Sequence, residues 1–123
     1  MRILVTGASG QLGQVFKNNI YNSDHEFYFT DENELDITKK KKILDYVTIH
    51  KIDLIINCAA YTNVNQSERN KKQAIKVNVD GVRNLVEVCE EKKLKMIHFS
   101  TDYVYNSNNL NPIKEDSNIN PIN

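Results

Sequence analysis

Three glycines near the N-terminus have the spacing of a phosphate-binding turn. Residues 3–5 form a short apolar run that is typical of a buried strand, and Gly7, Gly10 and Gly13 follow it at three-residue intervals. Gly7 permits a tight turn, Gly10 lets the backbone approach an anion, and Gly13 lets a following helix pack closely. The N–H groups at the start of that helix would face a pyrophosphate. An ordinary strand-to-helix turn is the alternative, but the position directly after an apolar strand favours the phosphate-binding interpretation.

An acidic residue stands at the end of the second predicted strand. Residues 26–30 are rich in aromatic side chains, as strands are, and Asp31 follows them. In a strand–helix–strand unit that begins with a glycine turn, such an acid accepts hydrogen bonds from the adenosine ribose. A turn-capping Asp31 is the alternative, and the sequence leaves both open. A ribose-binding Asp31 would repel a 2′-phosphate and favour NADH over NADPH, although the lysines at 39–42 could offset its charge.

Small and hydroxyl-bearing residues follow the third and fourth predicted strands. Residues 53–57 are the third strand and lead into a loop of mostly small residues at 58–62, which includes Ala59. Residues 95–100 are the fourth strand, and Thr101 follows it. Ligands of open α/β sheets lie outside the carboxyl ends of the strands, so both segments can border a cofactor. For the loop, close packing is the alternative explanation.

Two poor helix formers interrupt a long helical pattern. Apolar spacing predicts one helix over residues 67–92, with Asn78 and Gly81 on its apolar face. Asn78 in such a position needs a hydrogen-bonding partner. Either a tight packing site or a polar support beneath an active site would explain the two residues. His98, in the fourth strand, is interpreted as a packed residue and not as a catalytic base.

The alternation of elements predicts an α/β fold. Two further helices are expected over 11–21 and 39–50, the second with Asp36 or Thr38 as its N-cap. The order βαβαβαβ indicates a Rossmann-like, doubly wound parallel sheet, truncated after about four strands, with strand order 3-2-1-4. We expect an incomplete NAD(P)-binding domain over residues 1–105 and an irregular tail over 106–123.

The composition argues against several kinds of protein. The chain has 16 basic and 16 acidic residues, so its zero net charge gives no indication of nucleic acid or a membrane surface as a partner. No apolar run approaches the ~20 residues of a membrane span, and no signal-peptide pattern opens the chain. The two cysteines, Cys58 and Cys89, predict buried, reduced thiols in a cytoplasmic protein. No metal site is expected.

Five motifs resemble the extended short-chain dehydrogenase/reductase superfamily and, within it, the dTDP-4-dehydrorhamnose reductase family. They are VTGASGQLG (5–13), ELDIT (34–38), DLIINCAAYTNVNQSE (53–68), KVNVDGVRNL (76–85) and HFSTDYVY (98–105). The resemblance extends over the whole chain. The Gln11–Leu12 pair and the STDYVY run are the specific features, because glycine turns by themselves indicate only the superfamily.

The resemblance implies that NADPH or NADH binds along the motifs. The cofactor site is expected to include Gly7 and Gly13 of the glycine turn and Ala59 of the loop after the third strand. The resemblance adds contacts at Gly10, Gln11 and Leu12 for the pyrophosphate, Asp31 for the ribose, Asp36 and Ile37 for the adenine, Ala60, Tyr61 and Thr62 for the middle of the cofactor, and Phe99 for the nicotinamide.

The resemblance also implies a reaction. The nicotinamide delivers hydride to C4 of dTDP-6-deoxy-L-lyxo-4-hexulose, and the product, dTDP-L-rhamnose, serves polysaccharide biosynthesis. A tyrosine whose pKa is lowered by a lysine donates the proton. Thr101 hydrogen-bonds the reacting oxygen, with Asp102 near the sugar. Asn78 supports the lysine through water, and the full-length enzyme is expected to form a homodimer.

The sequence departs from the family at the catalytic acid. The family carries a Tyr-x-x-x-Lys motif soon after a Pro-x-Asn stretch, whereas no such motif follows Thr101, and Pro-Ile-Asn at 121–123 ends the sequence. We therefore expect the 123-residue chain by itself to be an inactive reductase that lacks its substrate domain. Its fourth strand is expected to be an apolar edge that promotes self-association.

Two other functions fit the same fold. One is a non-catalytic binding or regulatory protein, similar to the regulatory subunit of methionine adenosyltransferase. The other is a different nucleotide-sugar epimerase or dehydratase, which the Gln-Leu and STDYVY segments match less well. A Tyr-x-x-x-Lys motif in the coding sequence just beyond residue 123 would favour the reductase over the regulatory protein.

Overall fold

Four parallel strands form the sheet around which the protein is built. The computed structural model describes residues 1–20, 23–106 and 112–122. The strands are β1 (Arg2–Thr6), β2 (Glu26–Thr30), β3 (Leu54–Asn57) and β4 (Lys95–His98). They lie in the order β2-β1-β3-β4, and every neighbouring pair is parallel. The predicted α/β class and parallel sheet are therefore confirmed.

The predicted strand order, 3-2-1-4, is wrong. β3 pairs with β1 and not with β2, so β1 lies between the second and third strands. The reason lies in the segment after β2, which forms no strand and instead buries Leu35 and Ile37 in the core. The chain then passes to the other side of β1, whose apolar residues gain a strand on each side.

The helices differ from the predicted ones mainly after β3. Their bounds are α1 (Gln11–Asn19), α2 (Lys40–Ile49), α3 (Val64–Arg69), α4 (Lys71–Ile75) and α5 (Val82–Lys92), with a π-helical turn (Lys76–Gly81) and a 3₁₀ turn (Asp102–Val104). The single helix predicted over 67–92 is wrong, because Asn70 leaves the helical conformation and caps α4. α1 ends at Asn19, short of the predicted end at Tyr21, which lies outside the described residues.

The predicted N-cap of the second helix is also wrong. Lys39 occupies the N-cap of α2 and makes no capping bond with its side chain. Asp36 instead accepts a hydrogen bond from the Thr38 N–H, at 2.9 Å, within the preceding turn. Lys51 follows the end of α2 and Lys93 follows the end of α5, and both lysines have a positive φ. Glycine usually occupies such a position, so the sequence lacks the residue that would mark the end of either helix.

Helices cover both faces of the sheet, which makes the fold doubly wound. On one face Leu4 and Ile55 pack with α2 and α5. On the other face, apolar residues of β1 and β3 pack against Phe16 of α1. Among the described residues, no helix combines the length and the apolar character that crossing a membrane requires.

The segment after the 3₁₀ turn is irregular where the structure describes it, over residues 112–122. Two hydrogen bonds connect it to the preceding turn: the Asn120 N–H donates to the Val104 carbonyl at 2.9 Å, and the Tyr105 hydroxyl donates to the Glu115 carbonyl at 3.0 Å. Of the tail predicted over 106–123, residues 107–111 and 123 lie outside the described part of the chain.

Removing the Leu85 side chain tests the packing of α5. Leu85 is 0% exposed, so Leu85→Ala should lower the free energy of unfolding by about 2–5 kcal/mol through lost burial and a cavity. Val86, its 42% exposed neighbour, provides the control, because Val86→Ala should change that energy by only about 0.5 kcal/mol. Urea denaturation measures both variants, and equal losses would contradict the packing of α5 described above.

Candidate functional site

The glycine turn has room for backbone only. Gly7 has a φ of +66°, a conformation that glycine adopts without strain. A Cβ on Gly7 would lie 2.6 Å from the Cα of Ala59, and one on Gly13 would lie 2.6 Å from the Cα of Ala8. Gly10 is exposed, and a Cβ there would meet only the Gly7 carbonyl oxygen, at 3.2 Å. Close packing thus requires a glycine at Gly7 and at Gly13, whereas Gly10 lies at the surface, where a ligand can approach its backbone.

The start of α1 is exposed at Gln11 and Leu12, whereas Gly13 is buried. Gly10 is the N-cap and has no side chain with which to cap the helix. The first helical bond runs from the Gln14 N–H to the Gly10 carbonyl, at 3.0 Å. The N–H groups of Gln11, Leu12 and Gly13 precede it, and such groups have no partner within a helix. Together with the positive end of the helix dipole, they form a surface suited to an anion.

The turn lies at the point where the strand order reverses. The chain moves from β1 to β2 on one side and then to β3 on the other, so the crevice that binds ligands in such sheets opens between β1 and β3. The loops after these two strands meet there, since Gly7 packs against Ala59 and the Cys58 N–H donates to the Thr6 carbonyl at 3.2 Å.

Asp31 stabilises the turn that follows β2. Its Oδ1 accepts hydrogen bonds from the N–H groups of Asn33 and Glu34, at 2.9 and 3.4 Å. Glu34 returns the interaction, because its Oε2 accepts from the Asp31 N–H at 3.3 Å. The capping role considered for Asp31 is therefore present. Those two bonds to Asp31 engage Oδ1 alone, so capping is compatible with ribose binding through Oδ2.

Asp36 and Ile37 lie in the turn before α2 and have different surroundings. Partial burial would raise the pKa of Asp36, but hydrogen bonding from Thr38 and the charges of Lys39 and Lys76 outweigh it, so the pKa is lowered and the carboxylate is ionised at neutral pH. The side chain of Ile37 is only 5% exposed and belongs to the core. A contact of Ile37 with adenine would therefore have to come from its backbone.

Asn78 holds the loop after β3 by two hydrogen bonds. Its Oδ1 accepts from the Tyr61 N–H at 2.7 Å, and its Nδ2 donates to the Tyr61 carbonyl at 3.0 Å. Asn78 lies in the π-helical turn (Lys76–Gly81), and such widened turns occur frequently at functional sites. The prediction placed Asn78 on the buried face of a helix, whereas it is exposed. Its partner is a loop backbone and not a group in the core.

Gly81 shows that close packing also contributes to this region. A Cβ on Gly81 would lie 2.8 Å from the Cδ1 of Ile37. Nearby, Asn84 donates to the Ile37 carbonyl at 3.1 Å. Tight packing, one of the explanations offered for Asn78 and Gly81, therefore applies to Gly81, whereas a support role of Asn78 beneath an active site stays a prediction.

The residues after β4 form an exposed turn. The Thr101 hydroxyl accepts a hydrogen bond from the Tyr103 N–H at 3.2 Å and donates to Asp102 at 3.4 Å. Phe99 packs its ring against that of Phe16 on α1, with 6.2 Å between the ring centres. Thr101 and Asp102 are exposed, so the hydroxyl and the carboxylate can be reached by a ligand.

A hydrogen-bonded row that the sequence analysis missed lies beneath these loops. The Thr6 hydroxyl donates to the Asn57 Oδ1 at 2.6 Å, and the Asn57 Nδ2 lies 3.0 Å from the His98 Nδ1. Asn57 is 2% exposed. The signal in the sequence was the asparagine that ends an apolar strand, since a buried amide requires partners.

Metal-ligand clusters and thiols are the other groups that could take part in chemistry. Within the described ranges, no group of three or more His, Cys, Asp and Glu side chains is arranged to hold a metal ion. Cys58 is half-buried and Cys89 is buried, and both are free thiols. Burial raises the pKa of each, which makes them less reactive at neutral pH.

Removing the Asn78 side chain tests its hold on the loop. Asn78→Ala should speed hydrogen exchange at the Tyr61 amide by roughly tenfold, because that amide loses its acceptor. Asn84→Ala is the matched control, since it removes another bond from side chain to backbone and leaves both Tyr61 bonds in place. Exchange measured by NMR should separate the two variants, and unchanged Tyr61 protection in Asn78→Ala would refute the interaction.

Comparisons with known proteins match the entire chain. The family described as RmlD substrate binding domain matches residues 1–123. A dTDP-4-dehydrorhamnose reductase from Aggregatibacter actinomycetemcomitans is 39% identical over 122 residues, which cover 98% of this chain and 42% of that protein. A dTDP-4-keto-6-deoxy-D-glucose reductase from Streptomyces niveus is 34% identical and is covered to the same 42%.

A solved structure shares the fold closely. The dTDP-4-dehydrorhamnose reductase from Bacillus anthracis, in complex with NADP, superimposes with a TM-score of 0.93 at 34% identity, over 99% of this chain and 44% of that one. The chain thus spans less than half the length of these relatives. With a match over its full length and this shared fold, the chain belongs to the RmlD substrate binding domain family.

Proposed function

We propose that this chain is the NAD(P)H-binding part of a dTDP-4-dehydrorhamnose reductase. The observation that carries the proposal is the glycine turn at the β1/β3 crevice, where Gly7 packs on the backbone of Ala59 and the exposed start of α1 has N–H groups that the N-cap side chain does not bond. Similarity to a reductase solved with NADP supports a dinucleotide as that anion.

The proposed cofactor lies along the carboxyl edge of the sheet. The N–H groups of Gln11 and Leu12 bind the pyrophosphate, Asp31 binds the adenosine ribose, and the loop held by Asn78 borders the middle of the dinucleotide. Phe99 lies at the nicotinamide side. When bound, the nicotinamide supplies the hydride. The exposure of Gly10, Gln11 and Leu12 supports this arrangement, because a ligand can reach them without movement of the core.

The proposed substrate is a dTDP-linked 4-keto sugar. Both curated relatives are named for such a sugar, although they differ in which one. Thr101 would hydrogen-bond the keto oxygen and orient it for the transfer, and Asp102 would contact the sugar. Both side chains are exposed beside β4, which allows these roles. Proton transfer requires a tyrosine and a lysine from sequence other than residues 1–123.

The proposed function predicts a catalytic motif in the rest of the coding sequence. The coding sequence beyond residue 123 should contain a Tyr-x-x-x-Lys motif, whereas its absence would favour the regulatory protein of the same fold.

We place the protein in the cytoplasm, because its two free thiols agree with a reducing compartment. The homodimer of the full-length protein stays a prediction, as does self-association of the 123-residue chain through its fourth strand.

Charge at Gly10 tests the pyrophosphate site. The chain should bind NADPH saturably, and Gly10→Asp should weaken binding by roughly tenfold or more, because a carboxylate would face the phosphates. Gly10→Asn has nearly the same size without the charge and should weaken binding less. Nicotinamide fluorescence and the ligand-dependent rise in melting temperature measure both effects. No saturable NADPH binding by the folded wild-type chain would refute the proposal.

The charge of Asp31 tests the ribose contact. Asp31→Asn keeps an Oδ1 that can accept from Asn33 and Glu34, so the turn should be retained while the carboxylate charge is lost. The affinity for NADPH relative to NADH should rise roughly three- to tenfold, because repulsion of the 2′-phosphate is removed. Parallel titrations with the two cofactors give the ratio, and an unchanged ratio would place Asp31 away from the ribose.

A further inference from the structure

Polar residues end all four strands in one row across the sheet. Thr6 pairs with Thr30 on β2 and with Asn57 on β3, and Asn57 pairs with His98 on β4. Hydrogen bonds between side chains connect Thr6, Asn57 and His98, at 2.6 and 3.0 Å. The ends of β1, β3 and β4 are therefore linked by side chains as well as by backbone, directly beneath the proposed cofactor site.

The bonds of Asn57 define which way its amide points. The Ala59 N–H approaches the Asn57 Oδ1 at 3.2 Å, and because an N–H group can only donate, the atom facing it must be the oxygen. The amide NH₂ group then faces His98 and has to donate. The Nδ1 of His98 must therefore accept, so the neutral ring carries its proton on Nε2.

The same contacts connect His98 to the glycine turn. The amide that His98 holds also bonds the N–H of Ala59, and Ala59 is the residue whose backbone leaves no space for a Cβ on Gly7. Asn57 is 2% exposed, so its NH₂ group would have little access to water if His98 released it, and an unpaired buried donor is costly.

We propose that His98 is a positioning residue for the cofactor site, a role that rests on the proposed function. By accepting from Asn57, it fixes the amide that bonds Ala59, and through Ala59 it holds the loop after β3 against the glycine turn. His98 acts through Asn57 and does not itself contact the cofactor. Its Nε2–H tautomer is the chemical requirement, because only an unprotonated Nδ1 can accept from the amide.

Two substitutions at His98 distinguish this positioning role from a general contribution to packing. In His98→Asn, the side-chain oxygen takes the place of Nδ1 and can still accept, whereas in His98→Gln the oxygen lies one methylene farther out, near the place of Nε2. His98 is exposed, so both variants should fold. The readouts are hydrogen exchange at the Ala59 amide and NADPH affinity, both measured on the 123-residue chain.

The expected results differ between the two variants. In His98→Gln, the Ala59 amide should exchange roughly three- to tenfold faster and the affinity for NADPH should fall by the same factor. This is the change expected for the loss of one hydrogen bond. His98→Asn should stay within about twofold of the wild-type chain in both measurements. Equal behaviour of the two variants would overturn the proposal, and so would faster exchange without a change in NADPH affinity, since His98 would then be only structural.

Nitrogen NMR of the wild-type ring gives an independent result. The neutral ring of His98 should carry its proton on Nε2, and a neutral ring protonated on Nδ1 would overturn the proposal. This measurement and the Ala59 exchange do not require a ligand. If the wild-type chain bound no NADPH, the proposed function would fail, and with it the role at the cofactor site, whereas the tautomer and exchange would still show whether His98 holds Asn57.

Discussion

The close approach of two backbones at Gly7 is the constraint on which the candidate site depends. A side chain at this position would meet the Cα of Ala59 at 2.6 Å, and the left-handed φ of +66° is one that only glycine adopts without strain. The contact brings the loop after β1 against the loop after β3, at the reversal of the strand order. The first turn of α1 and the Ala59 loop can therefore face the same ligand.

The loops after β2 and β3 are held by hydrogen bonds from side chains to their backbones. Asn78 bonds both the N–H and the carbonyl of Tyr61. Asn57 bonds the N–H of Ala59 and also the side chains of Thr6 on β1 and His98 on β4. Asp31 stabilises its own turn through two neighbouring N–H groups. These bonds keep exposed loops in fixed positions, and a site whose groups are already in position loses less entropy when a ligand binds.

Local sequence patterns predicted most of the secondary structure and part of the site. β1 and β2 were identified from apolar and aromatic runs, and the start of α1 from the residue after Gly10. Gly7 and Gly13 were correctly assigned to a tight turn and to close packing. Such features depend on residues adjacent in the chain, which is why composition and spacing could reveal them. Asn78 and Gly81 were recognised as unusual, but their partners could not be named.

The sequence by itself determined the α/β class, the glycine turn and the family, because strand runs, glycine spacing and motifs are written in consecutive residues. Only the tertiary structure decided that β3 lies beside β1, that Asn78 reaches Tyr61 across 17 positions, and that Thr6 and Asn57 meet across 51. These pairings depend on how buried apolar surface is shared among distant segments. Local propensity carries no information about that choice, since the same strands could be arranged in either order.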